Sequence, residues 1–187
     1  MRFSFIAAAS AALLSASAAQ SAVIVNVQEV GANVVIDYSG MIDLTGLDHP
    51  GNIPGAPFSA RVTPNAGEVI SLNGGYALYT FGSTTVAHGP GSVTSTIDRS
   101  GDDFGFLNGV LTVAIGYVSG TALSGSLTFV GASLFTLGYA PGAYVTALPN
   151  DTITTNVIAS AVPLPAAAPL LLGALALTGF AARRRKG

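Results

Sequence analysis

Hydrophobic and polar residues alternate with a period of two along much of the chain, which is typical of β-strands. From residue 23 to 27 every second residue is valine, and polar residues enter the alternate positions from Asn26 onward. Residues 34–44 (VVIDYSGMIDL) repeat the alternation after the turn residues Gly31, Ala32 and Asn33. The two segments therefore predict a β-hairpin.

The same pattern continues in short pieces separated by Gly, Pro and Asn, while residues 45–57 and 88–92 are predicted to be loops. Further strands are predicted at 58–62, 68–72, 76–81, 93–97, 110–115, 126–131, 144–148 and 152–158. Twenty of the 23 glycines lie between residues 23 and 161, which disfavours helix there. Many short strands with frequent turns predict an all-β, sandwich-like domain of the jelly-roll or immunoglobulin-like type at residues 23–161.

Residues 1–22 have the features of a signal peptide. Arg2 supplies a positive start, a mostly apolar stretch follows to Leu14, and small residues then lead to a cleavage site after Ala18 or Ala19. The pattern predicts export and processing by signal peptidase, with a signal helix ahead of the domain.

The C-terminal segment, residues 162–187, combines a proline pair, an uncharged run and a basic end. Pro163 and Pro165 hold the preceding residues in extended backbone. Residues 166–182 carry no charge over 17 positions, about 26 Å as a helix, near the roughly 30 Å bilayer core. They predict a single transmembrane helix in the inner membrane. The basic residues that favour its cytoplasmic end are Arg183, Arg184, Arg185 and Lys186.

This tail resembles the PEP-CTERM class of bacterial sorting signals. The residues that match its VPLPA variant are Val162, Pro163, Leu164, Pro165 and Ala166, with Leu164 where the namesake motif has Glu. Residues 31–47 and 116–145 also resemble a recurrent domain found ahead of such tails, which implies no activity. The resemblance implies that an exosortase removes the tail and that the mature protein reaches the cell surface or the extracellular polysaccharide matrix. An ordinary tail anchor is the alternative.

The charge and cysteine content of the middle segment exclude several functions. Its nine acids face only Arg61 and Arg99, and it has no lysine, so it lacks the basic surface that nucleic acid requires. The chain has no cysteine, which excludes disulfides and thiolate metal sites. No cofactor is predicted.

Few residues suggest chemistry. A serine hydrolase would need His49 or His88, both of which we expect to be exposed loop residues, and no G-x-S-x-G elbow occurs. No pattern indicates zinc ligands or a pair of catalytic carboxylates. Three acids within six residues form a weak calcium candidate, against the simpler prediction of a solvated turn partly neutralised by Arg99; they are Asp98, Asp102 and Asp103.

The aromatic residues bear on carbohydrate binding, because exposed rings stack on sugars. The chain has six tyrosines and no tryptophan. Tyr76 and Tyr79 are an odd number of positions apart, so a strand would direct one to the core and the other to the surface. Asn150-Asp151-Thr152 matches a glycosylation sequon, but the resemblance of the tail implies a bacterial protein, in which this pattern carries little weight. The sequence thus predicts an exported, non-enzymatic protein; the alternatives are a polysaccharide-binding module and, less favoured, a hydrolase.

Overall fold

The computed structural model describes residues 22–159, and in this range the chain forms two β-sheets. All of the predicted signal peptide except Ala22 lies outside the described residues. The predicted tail, with its transmembrane helix at 166–182, lies outside them entirely. Within residues 22–159, no helix has the length and apolar character needed to cross a membrane.

The described residues contain thirteen strands, one short helix, α1 (Leu134–Leu137), and a 3₁₀ turn at Pro64–Ala66. The strands in chain order are β1 (Ala22–Val30), β2 (Asn33–Met41), β3 (Asp48–Ile53), β4 (Ser59–Thr63), β5 (Glu68–Leu72), β6 (Tyr76–Thr80), β7 (Thr94–Ser95), β8 (Asp98–Gly101), β9 (Phe104–Leu107), β10 (Val110–Ala114), β11 (Ala122–Phe129), β12 (Gly142–Ala147) and β13 (Thr152–Val157). The predicted all-β, two-sheet architecture is confirmed.

The first sheet has six strands in the order β12-β13-β1-β2-β11-β8. The predicted hairpin is confirmed, since β1 and β2 pair antiparallel from Val23 opposite Gly40 to Val30 opposite Asn33. The first and last strands of the fold are also neighbours: β1 and β13 run parallel, with Val27 opposite Val157. Strands that are far apart in sequence are therefore neighbours in the middle of this sheet.

The second sheet has seven strands in the order β3-β6-β10-β9-β5-β4-β7, and its pairs are antiparallel. Asn108 and Gly109 connect β9 to β10 with φ values of 41° and 79°. Positive φ at both central residues is the requirement of a type I′ hairpin turn, and Asn-Gly is its preferred pair.

One hydrophobic core lies between the sheets. The valines that alternate along β1 are all buried, as predicted, and they belong to this core. The largest fully buried apolar side chains of the core come from both sheets and include Ile36, Phe104, Phe106, Leu111 and Leu127. Each such side chain contributes about 1.5–3 kcal/mol when removed from water. The core thus holds the sheets face to face and leaves the outer face of each to solvent.

Two local predictions of secondary structure were wrong, and one strand was missed. Residues 45–57 were expected to be a loop, yet β3 lies within them as an exposed edge strand with an irregular register between Asp48 and Gly51. An edge strand pairs on one side only, so it tolerates Pro50 and needs no apolar alternation. Residues 98–103 were expected to be a turn but contain β8, which β11 holds in register. Strand β9 was not predicted, although the Asn108-Gly109 dipeptide could have indicated it.

Candidate functional site

The three acids of the calcium candidate do not converge. Asp98 begins β8, whereas Asp102 lies just past the end of that strand. An oxygen of the Asp102 carboxylate accepts a hydrogen bond from the Ser124 amide (2.8 Å), and Asp103 accepts one from the Asn73 amide (2.7 Å). Within the described residues, no group of three or more His, Asp or Glu residues could hold a metal ion.

Arg99 neutralises part of this segment, as predicted, and also joins the two sheets. Its Nε donates to Ser71 Oγ (3.0 Å), and its Nη2 donates to the carbonyl oxygens of Gly101 and Asp102. The guanidinium also forms an ion pair with Asp103 at 3.3 Å. Because the Arg99 side chain is only 6% exposed, its charge is engaged in structure and does not face solvent.

His49 is exposed, as expected, but it lies on strand β3 and not in a loop. Its Nδ1 lies 2.7 Å from the carbonyl oxygen of Leu78 and must be the donor, since a carbonyl can only accept. The ring stacks on Tyr79 with 4.6 Å between centroids. These contacts hold the imidazole against the strand backbone.

His88 was expected to be exposed, and this prediction was wrong: the residue is fully buried. Its amide donates to the carbonyl of Pro64 (2.7 Å) and its carbonyl accepts from the amide of Ala140 (2.8 Å), so two distant segments fix its backbone. The ring packs against Phe106, Tyr139 and Tyr144. Backbone hydrogen bonding between residues far apart in sequence, which no local pattern reveals, draws this loop inward.

Burial lowers the pKa of His88 to about 4, because a low-dielectric environment disfavours the imidazolium. The imidazole is therefore neutral at physiological pH. Neither ring nitrogen has a hydrogen-bond partner within the described part of the chain. Burial also raises the pKa of Tyr139 beside it. In residues 22–159, neither His88 nor His49 hydrogen-bonds to a serine hydroxyl or a carboxylate, so no hydrolase triad is assembled there.

A groove of about 500 Å³ lies on the outer face of the second sheet. Strand alternation produces it: Ala60 and Val62 point into the core, whereas Ser59 and Arg61 point outward. The segment before β4 forms one wall. The lining, which we call the outer groove, consists of Ala56, Pro57, Phe58, Ser59, Arg61, Ile70, Leu72, Tyr76, Leu78, Leu107, Val110 and Thr112.

The polar edge of the outer groove is an ion pair between Arg61 and Glu68. Both Nε and Nη2 of Arg61 lie within 2.9 Å of one Glu68 oxygen, and Nη1 donates to Ser59 Oγ (3.1 Å). The Glu68 side chain is 8% exposed and that of Arg61 36%. A guanidinium has five N–H groups, so the three contacts made within residues 22–159 leave two of them for a ligand.

The floor of the outer groove carries an unused hydroxyl. Thr112 Oγ1 on β10 is buried and has no hydrogen-bond partner within residues 22–159. Gly105 lies opposite Thr112 on β9, and a Cβ at that position would come within 2.7 Å of the hydroxyl. The absence of a side chain at Gly105 thus leaves room for the Thr112 hydroxyl.

The prediction for Tyr76 and Tyr79 is confirmed. Tyr76 lines the outer groove, whereas Tyr79 is the register partner of the buried Leu111 and packs against the core. Phe58 is a second aromatic residue at the groove, 43% exposed. Sequence reasoning missed the groove because its lining comes from five strands and the segment before β4.

The remaining candidates are structural or lie outside the described residues. The Asn150 amide donates to the Thr45 carbonyl (2.9 Å), and the Asp151 carboxylate accepts from the amides of Asp43 and Thr152. These contacts anchor the loop before β13. The sorting-motif residues 162–166 and the basic residues 183–186 lie outside the described residues.

Comparison of the chain with protein-family models, with curated proteins and with solved structures gives no match. The outer groove is therefore interpreted from its own geometry.

Proposed function

We propose that this chain is an exported, non-enzymatic protein of the cell surface or extracellular matrix. A signal peptide directs it out of the cell, and the PEP-CTERM-like tail holds the precursor in the inner membrane until an exosortase cuts near residues 162–166. The proposed domain type is a sandwich of the jelly-roll or immunoglobulin-like kind, which two packed and mostly antiparallel sheets support.

One observation supports this arrangement: the described residues, 22–159, form two β-sheets around one core. The two sheets share a single core built within that span, so the folded domain occupies the stretch between the two proposed targeting segments. β1 and β13 are parallel neighbours. The leader is therefore attached at one end of the first sheet and the tail at the other.

Mass spectrometry of the surface and medium fractions tests the sorting step. The mature protein should lack residues 170–187. Replacing both Pro163 and Pro165 with Ala should let helix extend through the cleavage site, because Ala is the best helix former, and uncut precursor should accumulate. Pro169→Ala, which leaves both motif prolines intact, is the matched control and should be processed.

Intact C-terminal peptides in the mature surface protein would overturn the sorting proposal. That result would identify an ordinary membrane anchor in place of a processed signal.

The outer groove supports a second candidate function, polysaccharide binding. A sugar ring offers apolar C–H faces and hydroxyl groups together, and the groove offers Phe58 and Tyr76 beside the Arg61–Glu68 pair. Ligand pockets commonly combine a mostly apolar lining with a few placed polar groups in 300–1,000 Å³. The N–H groups of Arg61 that are not engaged by Glu68 or Ser59 would hydrogen-bond a sugar hydroxyl in this position.

A glycan array probed with fragment 20–161 tests this second function. Phe58→Ala or Arg61→Gln should weaken binding about tenfold by removing an aromatic or charge-assisted contact. Phe135→Ala is the matched control, since Phe135 is 91% exposed and lies outside the groove. Absence of glycan binding, or equal loss with the control variant, would contradict the proposal.

A further inference from the structure

One end of the first sheet carries a group of exposed apolar side chains, here called the apolar end. Ile97 and Phe135 are each 91% exposed, Val130 is 76% exposed, and Val30 and Ile158 are close to half exposed. Scattered apolar residues are normal on protein surfaces. These five are notable because they come from separate chain segments and gather at one end of the same sheet.

Hydrogen bonds hold those segments together. The Gly131 amide donates to Asn33 Oδ1 (3.0 Å), which joins the β11–α1 connection to the β1–β2 turn. The Leu134 amide donates to a carboxylate oxygen of Glu29 (2.6 Å), which docks α1 on the end of β1. The Ile158 amide donates to the Val27 carbonyl (2.9 Å).

The register of the first sheet places Ile97 at this end as well. Asp98 lies opposite Thr128 on β11, and Phe129 lies opposite Val34 at the start of β2. A depression of about 460 Å³ runs between residues 94–98 and Val130. The apolar end is therefore a surface formed by several chain segments, which hydrogen bonds hold together.

Strand β13, the last strand described, also ends here, at Val157, and Ile158 follows it. Eight peptide steps separate Ile158 from Ala166, the first residue of the uncharged run. Even fully extended, they reach about 26–29 Å. A membrane helix at 166–182 would thus hold the apolar end close to the lipid surface, at a high effective concentration.

We propose that the apolar end docks on the lipid bilayer while the tail is in place, burying Ile97, Val130 and Phe135 among the lipid headgroups. This inference rests on the proposed membrane anchoring of the tail. Docking presents the opposite end of the sheets, and the outer face with its groove, away from the membrane. Docking would also hold the Pro163–Pro165 segment at a set distance from the bilayer surface, where a membrane-embedded protease acts.

The charges at this end indicate an apolar contact with lipid and no electrostatic attraction to anionic headgroups. Asp98 is exposed beside Ile97, and the carboxylate of Glu29 lies under α1. Anionic headgroups would repel both acids. Docking should therefore be stronger on phosphatidylcholine than on phosphatidylglycerol.

Fluorescence quenching by labelled lipid tests the proposal with the full chain, purified from membranes of an exporting bacterial host. The chain has no cysteine, so Val130→Cys places a fluorophore at one site. Vesicles of phosphatidylcholine containing doxyl-labelled phosphatidylcholine are the probe. The label at residue 130 should be quenched at a depth of about 5–10 Å in the headgroup region, at its boundary with the acyl chains.

Two further labels separate the possible failures. Val118→Cys lies at the opposite end of the first sheet, because Gly120 donates to Ile42 just past the end of β2; its label should not be quenched. Leu175→Cys, in the uncharged run, reports tail insertion by itself. Adding Ile97→Asp and Phe135→Asp should abolish quenching at residue 130 and leave it unchanged at residue 175.

The combination of quenching at residues 130 and 175 distinguishes failure of docking from failure of membrane anchoring. Quenching at residue 175 without quenching at residue 130 overturns docking and leaves membrane anchoring intact. A label at residue 130 that is shielded from aqueous iodide but untouched by lipid quencher identifies a second copy on this end, which also overturns docking. Quenching at neither residue 130 nor residue 175 overturns both proposals.

Discussion

The phenol of Tyr38 lies against the backbone of Gly125, its register partner on the neighbouring strand. A Cβ at Gly125 would collide with the hydroxyl and ring of Tyr38 and would come within 2.6 Å of the Ser100 carbonyl oxygen. The Tyr38 hydroxyl lies 2.9 Å from Ser71 Oγ in the other sheet and also hydrogen-bonds to the Asp102 carbonyl. A missing side chain in one strand thus makes room for a polar link between the sheets.

Gly125→Ala should therefore destabilise the fold. Because the colliding atoms include backbone, relief requires movement of β8 or β2, and overpacking of this kind costs about 1–3 kcal/mol. Urea unfolding of fragment 20–161 measures the change. Gly82→Ala is the control, since a Cβ there meets nothing within 4 Å. Equal stability of the two variants would contradict the packing described for Tyr38.

Removing the Tyr38 hydroxyl should weaken the link between the sheets. Tyr38→Phe removes the hydroxyl's hydrogen bonds to both the Asp102 carbonyl and Ser71 Oγ. At about 0.5–1.5 kcal/mol for each hydrogen bond, the loss should cost about 1–3 kcal/mol. Tyr76→Phe changes a tyrosine of the outer groove and should leave the free energy of unfolding unchanged. Calorimetry of both variants compares the two sites, and an undiminished melting temperature for Tyr38→Phe would refute the link.

His88 should make the fold sensitive to mild acid. Its pKa is about 4 in the folded state and about 6.5 in an unfolded chain. Between those values only the unfolded state binds the proton, so stability is fully present above about pH 6.5 and falls as the pH drops toward 4. The slope approaches roughly 1.4 kcal/mol per pH unit, and the total loss is on the order of 3 kcal/mol.

Comparison with His88→Phe isolates this effect, since carboxylate contributions cancel between the two proteins. The variant keeps an aromatic ring beside Tyr139 and has no titrating imidazole. Urea unfolding between pH 7 and pH 4 should show the wild type losing more stability than the variant. Parallel pH profiles would mean that His88 has the same pKa in the folded and unfolded states, which would contradict this prediction.

Chelation should not affect stability, because the carboxylates of Asp102 and Asp103 are engaged by backbone amides and Asp98 lies apart from them. We expect the melting temperature of fragment 20–161 to be the same with and without a chelator. A ligand bound to the native state must raise stability. A fall of several degrees that calcium reverses would establish a cation site in this segment.

The alternation of residues determined the strands that build the core. At Val23, Val25 and Val27 a period-two pattern has one interpretation, because one face of the strand must be buried. The Gly- and Pro-rich turns between such segments determined the all-β class. Tyr76 and Tyr79 were assigned to opposite faces for the same local reason.

Tertiary structure alone decided the features that depend on pairing between distant residues. β3 and β8 are strands because β6 and β11 supply their hydrogen-bond partners, although their own residues are polar or turn-forming. His88 is buried because Pro64 and Ala140 hold its backbone. The outer groove and the apolar end each collect side chains from several segments, and a linear pattern does not encode which segments become neighbours. Burial of apolar faces selects the strands locally, whereas long-range backbone pairing places those strands and the surfaces between them.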